Sequence, residues 1–237
     1  MLRFLFNIIY PKFCAGCDVR GSYLCEKCLH DLKKKKKQSC PHCRKENCDG
    51  KFCNQYCHRQ YNFERLITCS GYEKDDPLRK LLLLFKYRYV EEINKILGKI
   101  MKYQFAYFSH EFDSALIVPM AIDKRREKLR GFNQTGLLSK FLAGNFPKME
   151  FYDCLRRNSL VKKQSELGVA ERRINLRGAF SIPPECREKL NGQTIILVDD
   201  VATTCSTLNE AGKILKLNGA KSVCGLVLAR GHLFGKS

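Results

Sequence analysis

Two groups of residues in this chain have the types and spacing to do chemistry. The first lies in residues 194–207, TIILVDDVATTCST. Asp199 and Asp200 follow an apolar run, and Ala202, Thr203, Thr204, Cys205, Ser206 and Thr207 make a short hydroxyl-rich loop after them. Backbone N–H groups and hydroxyls at the start of a helix hold phosphate, because unpaired donors and the positive end of the helix dipole meet there. Adjacent carboxylates repel phosphate. They accept hydrogen bonds from sugar hydroxyls, or hold a Mg²⁺ that itself carries phosphate oxygens. A phosphate loop beside an acid pair therefore fits a phosphorylated sugar. A plain buried strand ending in a solvated acid pair would not need the hydroxyls and the helix in this order.

The second group is the cysteines. The chain has 14, and nine of them lie between Cys14 and Cys57. Cys14-x-x-Cys17 and Cys25-x-x-Cys28 form one set; Cys40-x-x-Cys43 opens another, closed by Cys53 and Cys57. Each Cys-x-x-Cys turn supplies two thiolates, and two turns complete the tetrahedron that Zn²⁺ prefers, with no position left for water. Two structural zinc ions are expected. Cys48, His42 and His58 are open substitutes in the second set, and the two sets could exchange turns. A segment so small and polar cannot build its own core, so the metal would supply folding energy. Cys69, Cys154, Cys186 and Cys224 lack metal spacing and read as small apolar residues.

The elements that must position these groups follow from residue pattern. Ile195 to Val198 is an unbroken apolar run, as in a strand buried on both faces. Leu208, Ala211, Ile214, Leu215 and Leu217 recur at helical spacing beyond the loop. This is strand, loop, helix, with the acids at the carboxyl end of the strand, where open parallel sheets bind ligands. Residues 67–72 and 114–120 read as further strands, the second ended by Pro119, and the apolar run up to Arg230 as a last one. Asp75-Asp76-Pro77 starts a helix, and residues 91–108 continue helical. After Pro119 comes a basic stretch, Lys124-Arg125-Arg126-Glu127-Lys128-Leu129-Arg130, then Gly131-Phe132-Asn133-Gln134 before a helix. It reads as a charged surface loop or as the pyrophosphate side of the same site, with Pro119 and Arg130 in the binding set; the fork of Arg suits phosphate. Arg172 and Arg173 could approach the same edge from a later helix. The fold class is α/β, a mostly parallel sheet with flanking helices, with a cysteine-rich segment over residues 1–62 and the larger domain over 63–237.

The apolar strand, two acids and Thr-Thr-x-x-Thr loop resemble the signature of type I phosphoribosyltransferases. There the acids hold the ribose hydroxyls of phosphoribosyl pyrophosphate and the loop wraps its 5-phosphate. Cys205 departs from that pattern, which usually has Gly. Either the loop has relaxed and binds weakly, or Cys205 is a reactive thiol near a helix N-terminus. Arg130-Gly131-Phe132-Asn133-Gln134 after Val118-Pro119, the set Gln164, Leu167, Arg172 and Asn175, and the Asp-Asp-Val-x-Thr-Thr loop together resemble the ComF competence family. So does the cysteine-rich start, read there as a double zinc ribbon. The resemblance implies a protein of natural transformation that handles incoming single-stranded DNA in the bacterial cytoplasm, with a competence helicase and recombination proteins as partners. Phosphoribosyl pyrophosphate, with Mg²⁺, is the implied ligand.

Composition bounds the alternatives. The chain has 237 residues and a formal net charge of +19. Two zinc ions, each on four thiolates, bring this to about +15. Lys33 to Lys37 are five lysines in a row. Such a run is either a solvated loop or a contact for polyanions, and the overall excess of basic residues favours nucleic acid. Tyr87 and Phe132, each beside basic residues, are candidate stacking platforms for bases. No apolar run is long enough to span a membrane. The opening MLRFLFNIIY lacks a small-residue cleavage site and reads as a segment packing on the main domain rather than a signal peptide. Three functions remain: a DNA-handling competence factor with a sugar-phosphate pocket, an active phosphoribosyltransferase, or an adaptor whose pocket is relict.

Overall fold

Two apolar runs, Leu116 to Val118 and Ile195 to Val198, form the centre of a sheet because their residues are buried alternately on its two faces. The computed structural model describes residues 11–33, 37–71, 76–87, 91–158 and 178–231. Its helices are α1 (Glu26–Lys33), α2 (Gln55–His58), α3 (Pro77–Tyr87), α4 (Glu91–Ala106), α5 (Lys124–Arg130), α6 (Gln134–Ala143), α7 (Arg187–Leu190) and α8 (Ser206–Leu217). The strands are β1 (Gln38–Ser39), β2 (Glu46–Asn47), β3 (Arg65–Gly71), β4 (Ala115–Pro119), β5 (Met149–Phe151), β6 (Arg156–Arg157), β7 (Phe180–Ser181), β8 (Thr194–Ala202) and β9 (Ser222–Arg230).

Five strands make the main sheet in the order β3-β9-β8-β4-β5, every pair parallel. From β4 the chain moves outward to β5 on one side; from β8 it moves outward to β9 on the other. The carboxyl ends of β4 and β8 thus flank the point where strand order reverses, and a crevice opens there. Ile196 and Val198 point into one core with Leu78, Leu81, Leu82 and Phe85 of α3, Ile93 and Leu97 of α4, and Leu138 of α6. Ile195 and Leu197 point into the other with Leu190 of α7 and Leu208, Ala211 and Leu215 of α8. The α/β class with flanking helices and a cysteine-rich start is the one expected from sequence.

Three details differ from that expectation. Strand β8 runs on to Ala202, so the acids lie within it rather than at its end. Residues 124–130 are helix rather than loop: the Asp123 carboxylate accepts from Arg125 N–H at the start, and Gly131, at φ 79°, closes the other end. Strand β5, at the sheet edge, was not anticipated; three residues carry no period to read.

The N-terminal segment is fastened to the α/β part. Cys14, Leu24 and Leu32 share the first core. The buried Gln38 side chain pairs with the backbone N–H and carbonyl of Thr68, extending the edge of β3. The Asn209 amide oxygen of α8 accepts from Asn62 N–H at 2.7 Å. Gly212, one turn on, lets the chain pass: a Cβ there would lie 2.6 Å from the Asn62 carbonyl oxygen. Gly212→Ala is therefore expected to destabilise the protein by about 1–3 kcal/mol, the usual cost of an overpacked contact. Urea unfolding of both proteins measures it.

Candidate functional site

A pocket of about 240 Å³ opens at the switch point. Met120, Ala121 and Ile122, after β4, form one wall; Asp199 and Asp200 of β8 and Thr207 of α8 form the opposite one. Four cations come from three directions: Lys86 from α3, Arg126 and Arg130 from α5, and Arg157 from β6, with Asn158 beside it. The wall at β4 is held in place by Met120 N–H donating to the Val198 carbonyl at 2.8 Å, and by the Thr135 hydroxyl donating to the Met120 carbonyl at 2.7 Å. Arg130 donates to the buried Gln134 side chain at 2.6 Å, and Gln134 donates to the Phe85 carbonyl, so Arg130 is oriented from below.

The acids are not equivalent. Lys86 pairs with Asp200 at 2.8 Å. Asp199 keeps part of its surface open to the pocket, but the protein around its carboxylate strips away water. That desolvation, and then the neighbouring Asp200 charge, push its pKa up to about 8. On the other side of the pocket Arg157 is pushed down, first by burial and then by Arg126. Like charges are thus forced together on both walls, a state that an anion near the arginines and hydroxyls or a cation near the acids would relieve.

Past the acids, Thr204 Oγ1 accepts from Ser206 N–H at 3.3 Å and meets Ser206 Oγ at 2.8 Å, in the turn that leads into α8. Cys205 sits at φ 61°, ψ 9°. It therefore takes the left-handed turn that glycine usually makes, at about 1 kcal/mol. Its side chain is 3% exposed and lies in the second core, against neither the pocket nor solvent. Burial pushes the thiol pKa up. Both sequence expectations for Cys205 need correction: the loop has kept its hand rather than relaxed, and the thiol is a buried protonated group rather than a reactive one.

The cysteines gather as two groups. The sulfurs of Cys14, Cys17, Cys25 and Cys28 all lie within 4.8 Å of one another, as do those of Cys40, Cys43 and Cys53. Cys57 adjoins the second group, where its thiol is pushed up to about 11 by burial and by contact with Cys43 and Cys40. Both groups could hold a metal ion. The substitutes have other partners or stand apart: His58 Nε2 meets the Phe63 carbonyl at 3.1 Å, His42 Nδ1 meets the Tyr61 hydroxyl at 3.5 Å, and Cys48 is exposed outside the group.

Of the residues anticipated for the sugar-phosphate site, Asp199, Asp200, Thr207 and Arg130 line the pocket. Thr203, Thr204 and Ser206 belong to the loop beside it. Pro119 is strand, paired with Val198, and Ala202 is buried in the core. Arg126 joins the wall from the basic stretch read as the pyrophosphate side, while Lys86 and Arg157 join it without having been singled out as phosphate ligands; Arg157 comes from a two-residue strand with no periodic signal. Gln164, Leu167, Arg172, Arg173 and Asn175 lie outside the described residues, as do residues 1–10, Lys34 to Lys36 and the Tyr87 side chain. Phe132 packs on Phe85, ring centroids 5.7 Å apart, so that face is spent on the core edge rather than open to a base.

The raised Asp199 pKa has a definite sign in stability. The folded protein holds a proton between about pH 4 and 8 that the unfolded chain has lost, so this group's contribution to stability declines as pH rises through that window. The melting temperature without ligand is expected to fall over it, and to fall less in Asp199→Asn; equal slopes in a calorimetric pH series would contradict the assignment.

No family model matches the chain. Among curated proteins, competence protein F of Haemophilus influenzae is 28% identical over 220 residues, covering 87% of this chain and 90% of its own. Competence protein ComFC of Bacillus subtilis is 28% identical over 219 residues, 87% and 84% of the two chains. The DNA utilization protein YhgH of Escherichia coli O157:H7 is 28% identical over 174 residues, 72% and 74%. Among solved structures, a hypoxanthine phosphoribosyltransferase from Staphylococcus aureus overlays 63% of this chain and 71% of that one, at 11% identity and a TM-score of 0.39. The overlay on an allosteric regulatory enzyme of purine biosynthesis covers 26% of that longer chain, at a TM-score of 0.38. Along most of its length the chain is thus similar to competence protein F, competence protein ComFC and the DNA utilization protein YhgH.

Proposed function

We propose that this chain is a competence protein that handles incoming single-stranded DNA and holds phosphoribosyl pyrophosphate, with Mg²⁺, in the pocket between β4 and β8. One observation carries the reading: an acid pair, a hydroxyl loop at a helix start and three arginines converge at the topological switch point of a parallel sheet. Asp199 and Asp200 accept from the ribose hydroxyls. The loop from Thr203 to Thr207 cradles the 5-phosphate, with helix α8 behind it. Arg126, Arg130 and Arg157 face the pyrophosphate. When bound, Mg²⁺ would offset the charge of acids and phosphates together.

Residues 1–62 carry structural zinc in this reading, and residues 63–237 the sugar-phosphate pocket. Thiolates 2.3 Å from a tetrahedral Zn²⁺ stand about 3.8 Å apart. Cys17 and Cys25 sulfurs are 3.8 Å apart, and those of Cys43 and Cys53 3.6 Å. The relatives' names and the basic charge support a place in DNA uptake; the cytoplasm, a competence helicase and recombination proteins are the setting that the resemblance implies. No helix among the described residues is long and apolar enough to cross a membrane.

A second reading, an active phosphoribosyltransferase, draws on a smaller cleft of about 190 Å³ that shares Ala121, Ile122 and Arg157 with the main pocket. Asn133, Asp153 and Arg156 line it, and in this reading they would meet the acceptor. Pyrophosphate release with a base separates this reading from the first.

Calorimetric titration with phosphoribosyl pyrophosphate and Mg²⁺ is expected to give saturable binding, lost when Asp199 and Asp200 are both changed to Asn while the fold is retained. An unfolded double variant would mark the acids as structural instead. A labelled single-stranded oligonucleotide is expected to bind with little sequence preference and with affinity that falls by about three orders of magnitude between 50 and 200 mM salt if some six phosphates are neutralised. Affinity that stays level over that range would remove the electrostatic account.

A further inference from the structure

The second cysteine group and the phosphate loop meet through two arginines. Arg44 follows Cys43 directly, and its backbone turns through φ 63°. That left-handed conformation is disfavoured for a non-glycine residue. Its guanidinium donates to the Thr203 carbonyl at 3.1 Å and to the Gly231 carbonyl at 3.0 Å. Arg230, the last residue of β9, reaches the opposite way: it donates to Ser39 Oγ and to the Cys40 carbonyl, each at 2.9 Å, and to the Pro41 carbonyl. Gly231 N–H in turn donates to the Ala202 carbonyl at 2.9 Å. The loop's entry at Ala202 and Thr203 is therefore tied to the knuckle at residues 39–44 by a closed set of charge-assisted bonds. The Arg44 charge is disfavoured first by burial and then by the neighbouring Arg230, and four of the five bonds that the two guanidinium groups make go to carbonyl oxygens, the fifth to the Ser39 hydroxyl.

We propose that Arg44 is a positioning residue for the sugar-phosphate site, and that the second cysteine knuckle serves as a brace holding the loop from Thr203 to Thr207 in its binding shape. The inference rests on the phosphate-loop reading given above. Arg44 does not touch the pocket; it acts by fixing the Thr203 carbonyl, which sets the direction of the amides that follow. Both carbonyls are held by one guanidinium nitrogen, Nη2, whose two N–H bonds lie in the fixed plane of the group, whereas an ammonium on a flexible stem is free to turn. An ion on Cys40, Cys43, Cys53 and Cys57 would stiffen the knuckle from which the fork projects, so the metal site and the ligand site become parts of one unit.

The test compares native protein with Arg44→Ala, Arg44→Lys and Lys45→Ala. Lys45 is exposed and removes the same charge one residue away. Metal content by elemental analysis, amide hydrogen exchange over residues 203–208 and calorimetric binding of phosphoribosyl pyrophosphate with Mg²⁺ are read on each. Arg44→Ala is expected to keep its metal, to exchange its loop amides at least tenfold faster and to bind about tenfold more weakly. Arg44→Lys should fall between, and Lys45→Ala should match native protein in both. Unchanged loop exchange in both Arg44 variants would overturn the brace. If native protein binds no phosphoribosyl pyrophosphate, the phosphate-loop reading fails, and the exchange rates still decide the brace on their own.

Discussion

The α/β part depends on strand β8 being paired on both edges. Its partners β4 and β9 satisfy its backbone on the two sides, and its four apolar residues divide between the two cores. A strand so enclosed has no freedom of register, since a slip of one residue would turn every core side chain to the wrong face. That rigidity allows Asp199 and Asp200 to be held side by side although they repel each other. The same strand delivers the loop to the start of α8. Pocket, loop and acid pair are thus consequences of one pairing pattern.

Acids and arginines both line the pocket, with Lys86 paired to Asp200 and with Asp123 among the arginines. Local, exposed ion pairs such as Lys95 with Glu91 or Arg156 with Asp153 contribute little. Arg65 with Glu111 is different, since the arginine is largely buried and both its terminal nitrogens meet the carboxylate. That pair secures the start of β3 at the sheet edge. Charge in this protein therefore has two uses: a satisfied pair fixes the edge of the fold, and unsatisfied neighbours line its crevice.

The sequence was most legible where a single element carried the signal. The apolar run ending in Asp199-Asp200, the hydroxyls after it and the helical spacing of Leu208, Ala211 and Leu215 all lie within one strand-loop-helix unit, and all are seen. The cysteine pairs were legible for the same reason: a Cys-x-x-Cys turn is local. What was missed needed distance. Lys86 meets Asp200 only once α3 has packed against the sheet, and Arg157 enters from a strand two residues long. The helix at 124–130 was read through its charges, while its caps, Asp123 and Gly131, decided the matter. For Cys205 the departure from glycine was legible, but neither the retained hand of the loop nor the direction of the side chain, which depends on the apolar space beneath the loop.

The order of strands in the sheet also bears on how the chain folds as it is made. Strand β3 is the first of the sheet to leave the ribosome, and its only neighbour in the sheet is β9, the last. Parallel pairing between segments so far apart in sequence is slow to form, because the intervening chain must be gathered first. Until then β3 exposes an apolar edge, a hazard for association with other nascent chains. The segment translated just before it is the cysteine-rich one, whose contacts are short in sequence and whose Gln38 pairs with the backbone of Thr68 in β3. A knuckle that closes early would shelter that edge during synthesis, giving the N-terminal segment a chaperoning part within its own chain.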